Sequence, residues 1–147
     1  MHDGNLLVVD EDETIRCMLS HALGLAGYDV VTAASAEEAL LLLSENEWMR
    51  DALDLMLTDM ELPGLSGLEL LDELKRRGYA PPAIIMSGMN GRETVSGAVG
   101  RHCVGYFPKP FRLHSLLGAI RGFLAGEVRN RTGRDMDAML ETFLAHS

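Results

Sequence analysis

Carboxylates, a hydroxyl and an ammonium stand just beyond apolar runs at four places in this 147-residue chain. Asp10-Glu11 follow NLLVV, Asp59 ends LDLMLTD, Ser87-Gly88 follow AIIM, and Lys109-Pro110 come shortly after VGYF. Each stretch alone has an ordinary explanation. The acids at 10–13 could complement the positive end of a helix dipole, and Asp59 could serve the Pro63-Gly64 turn. Ser87-Gly88 could close a strand, and Lys109 could be a solvated loop residue. Brought to one spot, they would form a different object. Carboxylates that close raise one another's pKa unless a cation joins them. An all-oxygen cluster suits Mg²⁺, which takes one or two carboxylates, keeps water and leaves room for phosphate. A lysine supplies a point charge to a phosphoryl oxygen, and an aspartate is a recognised nucleophile for acyl-phosphate chemistry.

The elements that would bring them together are legible from periodicity. Short apolar runs at Asn5–Val9, Tyr28–Ala33, Leu53–Thr58, Ala83–Met86 and Val104–Phe107 read as buried strands. Between them lie helix-period segments at Glu13 to about Ala26, Ala36–Glu45, Leu68–Arg77, Asn90–Gly100 and Leu113–Ala125. Gly27 and Gly78 stand where helix C-termini favour a positive φ, and Ser35 with Glu38 matches a capping box. The Asn90–Gly100 segment is weak, since Gly91, Gly97 and Gly100 each lower helix propensity. Strands alternating with helices predict an α/β fold: a five-stranded parallel sheet covered on both faces, order 2-1-3-4-5, flavodoxin-like and doubly wound. Such sheets bind ligands outside the carboxyl ends of their strands, which is where all four stretches fall.

Bulk properties narrow the classes further. The length suits one domain, read as residues 1–125, with residues 126–147 as an extension. That extension has a basic, turn-rich start (Arg129, Arg131, Gly133, Arg134). A short amphipathic helix follows, with Met136, Met139, Leu140, Phe143 and Leu144 at helical spacing. It is expected to dock on its own domain or on a second copy, giving a homodimer. The net charge is −9, and residues 1–61 hold 14 acidic against 2 basic residues. This argues against direct nucleic-acid binding. No run approaches the roughly 20 apolar residues of a membrane span, and no leader-like segment opens the chain, so a cytoplasmic protein with no membrane partner is expected. Cys17 and Cys103 lack metal-ligand spacing and read as reduced core residues. No GxxxxGK[ST] loop is present.

The strings VVDEDETIR, LMLTDMELPGLSGLELL, AIIMSG and YFPKPF, in that order and spacing, resemble the receiver-domain motifs of two-component response regulators. The resemblance covers about residues 5–125. It implies that Asp59 is the phosphoacceptor, and that Asp10, Glu11, Asp59 and the backbone carbonyl of Glu61 hold Mg²⁺. It implies further that Ser87 is the switch hydroxyl, Gly88 the small residue beside the phosphoryl group, Lys109 the site lysine and Tyr106 the switch aromatic. The Lys109-Pro110 bond is then expected to be cis. Glu11 stands where the family more often has Asp, and His102 where it usually has Gly. His102 and the glycine-rich helix mark the stretch between Ser87 and Tyr106 as the expected soft region.

The resemblance implies a chain that takes a phosphoryl group from the phosphohistidine of a sensor histidine kinase or phosphotransfer protein. It would catalyse only its own phosphorylation and dephosphorylation, and act on a downstream output protein or domain. A degenerate docking receiver, a receiver fragment of a larger regulator and a small aspartyl-phosphate phosphohydrolase are the readings that compete with it.

Overall fold

The computed structural model describes residues 4–88 and 103–126. The expected helix over Asn90–Gly100, His102 and the amphipathic segment past Gly126 lie outside the described residues. In chain order the elements are β1 (Gly4–Val9), α1 (Glu13–Leu25), β2 (Tyr28–Ala33), α2 (Ala36–Glu45), α3 (Glu47–Ala52), β3 (Leu55–Asp59), α4 (Gly67–Arg76), β4 (Ala83–Ser87), β5 (Cys103–Pro108) and α5 (Leu113–Leu124). The strands form one parallel sheet in the order β2-β1-β3-β4-β5, as the alternation predicts.

Side chains of successive strand residues point to opposite faces, and this alternation divides the core in two. Leu6, Val8, Leu55, Leu57, Ile84, Met86 and Phe107 pack against Leu19 and Leu23 of α1 and Leu116, Ile120 and Phe123 of α5. Leu7, Val9, Met56, Ala83, Ile85 and Tyr106 face Ala39, Leu40 and Leu43 of α2, Met49 of α3 and Leu70, Leu71 and Leu74 of α4. Burial on both faces explains why the strands read as unbroken apolar runs.

Helix ends follow local chemistry. Asp12 caps α1, accepting from the Thr14 and Ile15 amides at 2.9 and 3.4 Å, and Gly27 leaves it at φ +103°. Ser35 accepts from the Glu38 amide, while the Glu38 carboxylate reaches the amide of Ala34 rather than that of Ser35. A reciprocal capping box forms instead at Ser66 and Glu69, so α4 starts one residue earlier than its apolar periodicity suggests.

Two expectations need correction. Residues 47–52 form a helix that periodicity did not reveal: it has six residues, one buried side chain (Met49) and no side-chain cap. It delays β3 to Leu55, because Leu53 closes this helix by donating to the Met49 carbonyl. Cys17, read as a core residue, is exposed on α1. Among the described residues no helix is long and apolar enough to cross a membrane.

Candidate functional site

Three parallel strands and one loop end at the same edge. Asp10 lies one residue past β1, fully buried, and its amide extends the sheet ladder to the Ala33 carbonyl at 3.0 Å. Asp59 is the last residue of β3 and Ser87 the last of β4. Lys109 follows β5, its amide donates to the Ser87 carbonyl at 2.7 Å, and the Lys109-Pro110 bond after it is cis.

The side chains then meet. The Lys109 ammonium donates to Asp10 Oδ2 at 2.7 Å and to Asp59 Oδ2 at 3.1 Å. Asp10 Oδ1 accepts from the Asp12 amide at 2.9 Å, and Asp59 Oδ1 from the Glu61 amide at 3.2 Å. Ser87, fully buried, donates its hydroxyl proton to Glu61 Oε1 at 2.6 Å. Tyr106 is fully buried on β5, and its hydroxyl has no hydrogen-bond partner among the described residues.

The electrostatics follow from this crowding. Burial pushes the Asp59 carboxyl from 3.8 up to about 6, with Lys109 pulling it down and Glu61 and Asp10 pushing it up. Burial alone would raise Glu61 as well, but hydrogen bonds from Ser87 and Asp59 hold it below the ordinary carboxylate value. Of these two touching carboxyls, Asp59 is therefore the one that takes a proton first. Burial works against the Lys109 charge, yet Asp10 and Asp59 more than compensate and raise its pKa. Burial also raises the Tyr106 phenol, with the nearby Ser87 opposing and the Glu61 charge adding.

Thus Asp10, Asp59, Ser87 and Lys109, separated by up to 99 residues in sequence, come together as their positions at strand ends require. Glu11 does not join them: its side chain is exposed and makes none of the site's hydrogen bonds. Glu61, singled out for its carbonyl, brings its carboxylate into the site. Three contributors escaped sequence reasoning. Arg16 donates to the Asp10 and Glu11 carbonyls at 2.7 and 3.0 Å. Glu37 accepts from the Leu65 amide in the loop after β3. Gly67 lies so close to Asp59 that a Cβ there would be 2.4 Å from the Asp59 carbonyl oxygen. Only the SxxE cap beside Gly67 left a trace in the sequence.

The oxygen-only donor set fits a hard cation. No three described Asp, Glu, His or Cys side chains are preassembled around one point. Mg²⁺ does not need that, because it retains waters and takes few carboxylates.

The response regulator receiver domain family matches this chain over residues 6–121. The chain belongs to that family. The receiver is similar to the DNA-binding transcriptional regulator NtrC of Bradyrhizobium sp. (strain RP501 Parasponia), 33% identical over 137 residues. It is also similar to the response regulator MprA of Mycobacterium avium (strain 104), 32% identical over 141 residues. These alignments cover 93% and 94% of the chain but 27% and 57% of the respective relatives, so the chain spans less than two thirds of either. A receiver domain from Clostridium thermocellum superposes with a TM-score of 0.74 at 29% identity, covering 84% of this chain and 96% of that one. The chemotaxis protein CheY4 of Vibrio cholerae gives 0.71 at 27% identity, covering 80% and 96%. The receiver is a signalling domain of two-component systems, a class that works with histidine kinases and output domains and generally uses Mg²⁺ in phosphorylation.

Proposed function

We propose that this receiver accepts a phosphoryl group on Asp59 from the phosphohistidine of a sensor histidine kinase or phosphotransfer protein, and that the modification switches it toward a downstream output. The observation that carries the reading is the Lys109 ammonium held between two buried carboxylates, 3.1 Å from Asp59. Phosphoryl transfer needs positioning and charge neutralisation more than covalent help, and a partly buried lysine beside the acceptor provides both. The Asp59 carboxylate forms the new P–O bond as the P–N bond breaks, and the electron pair returns to the partner's imidazole. Mg²⁺, held by Asp10, Asp59, the Glu61 carbonyl and Glu11, would neutralise the phosphoryl oxygens. The reaction is placed in the cytoplasm, with residues 1–125 as the receiver and 126–147 as an extension.

The switch follows from what Ser87 is bonded to. A phosphoryl group on Asp59 adds negative charge and competes with Glu61 for the Ser87 proton while repelling the Glu61 carboxylate. The Tyr106 ring already lies inside. What changes first is therefore the partner of the hydroxyl beside it, not an inward turn of the ring. The two arrangements bond differently to the phosphoryl oxygens, as a population shift requires. Titration with beryllofluoride and Mg²⁺, followed by amide NMR, tests this. Signals of Ser87, Gly88 and Tyr106 are expected to shift in the wild type and stay fixed in Asp59→Asn. Unmoved signals in the wild type would contradict the switch.

A further inference from the structure

Arg16 and Arg50 are the two basic residues among the first 61, and they serve different places. Arg50 donates to the Leu43 and Ser44 carbonyls at the end of α2. Arg16 sits on α1, three residues after a run of four acids, Asp10, Glu11, Asp12 and Glu13. A half-buried guanidinium in such company would ordinarily pair with a carboxylate, where charge assistance is greatest. Among the described residues it pairs with none. One nitrogen, Nη1, donates to two successive backbone carbonyls, those of Asp10 and Glu11, at 2.7 and 3.0 Å. The same residue's amide donates to the Asp12 carbonyl at 3.0 Å.

The turn from Asp10 to Asp12 is thus fastened at several points. The Asp10 amide is held by β2, the Asp12 amide by Asp10 Oδ1, the Asp12 side chain by the start of α1, and the Asp10 and Glu11 carbonyls by Arg16. Those carbonyls belong to the two residues whose side chains the proposed function assigns to the cation. Fixing their peptide planes fixes the direction in which both Cα–Cβ bonds leave the backbone. Because the guanidinium takes carbonyls, it does not itself occupy either carboxylate: Asp10 is held by Lys109, and Glu11 stays exposed.

We propose that Arg16 is a positioning residue for the cation site, aiming the Asp10 and Glu11 carboxylates without competing for them. This rests on the reading of Asp10 and Glu11 as cation ligands. Groups that orient metal ligands typically change affinity by about 10- to 100-fold when lost.

Mg²⁺ binding by calorimetry, with no phosphoryl donor present, gives an answer whose sign separates the alternatives. Arg16→Met keeps the apolar stem but removes the donors, and is expected to weaken Mg²⁺ binding by about tenfold or more. Arg16→Lys keeps a donating cation and should recover part of that loss. If Arg16 only supported the fold, Arg16→Met would lower the melting temperature of the metal-free protein and leave Mg²⁺ affinity unchanged. Were it merely a nearby positive charge, its removal would tighten Mg²⁺ binding. Either result overturns the proposal. A wild type that binds no Mg²⁺ would instead remove the cation site itself, together with this inference.

Discussion

Replacing Asp59 with Asn is expected to stabilise the metal-free protein at pH 7, although it removes the residue on which the function depends. The carboxyl sits 5% exposed at the end of β3 and ionises near 6 instead of 3.8. At about 1.4 kcal/mol per pKa unit, that difference makes the charged form cost about 3 kcal/mol in the fold. The figure already includes the attraction of Lys109, so the gain measured for Asn should lie on the order of 1–3 kcal/mol. The sign with pH follows from proton counts. Between pH 4 and 6 the folded state holds a proton that the unfolded chain has released, so this group's contribution falls as pH rises through that range. Above about 6 the deficit is complete; below about 4 both states are protonated and the advantage of Asn vanishes. Urea unfolding in the presence of a chelator, at pH 7 and again near pH 4, measures it. An Asn variant less stable than wild type at pH 7, or equally advantaged at both pH values, would refute the reasoning.

Lys109→Met leaves Asp10 and Asp59 buried without their cation. It is expected to cost roughly 3–5 kcal/mol at pH 7, less near pH 5, and to move the Asp59 carboxyl above 6 in an NMR titration. Gly67→Ala places a methyl against the Asp59 carbonyl oxygen. Overpacking against backbone should lower stability by about 1–3 kcal/mol and slow phosphorylation at Asp59. Gly118→Ala, in open space on α5, is the contrasting change and should stabilise by up to about 1 kcal/mol.

What could be read from the sequence was whatever depends on periodicity and on strand ends. Burial on both faces makes each strand a continuous apolar run, so the first polar residue after it marks the sheet's edge. That is why Asp10, Asp59 and Ser87 could be named together before any coordinate was known. The helix at 47–52 escaped because six residues with one buried side chain carry no measurable period. Arg16, Glu37 and Gly67 escaped for another reason: they act on backbone, through carbonyls, an amide and a close approach, and backbone geometry has no residue signature. The Glu61 carboxylate was missed since its contact with Ser87, 26 residues away, exists only once β3 and β4 are paired. The reading of Cys17 as a core residue rested on cysteine count and spacing, which say nothing of the helix face, and the side chain is exposed on α1.

The central claim is that Asp59 is a phosphoryl acceptor, and incubation with phosphoramidate and Mg²⁺ followed by intact-mass spectrometry tests it most directly. The wild type is expected to gain the mass of one phosphoryl group, lost on removal of Mg²⁺ before the reaction, with none gained by Asp59→Asn. Equal labelling of the Asn variant, or an unmodified wild type, would contradict the account.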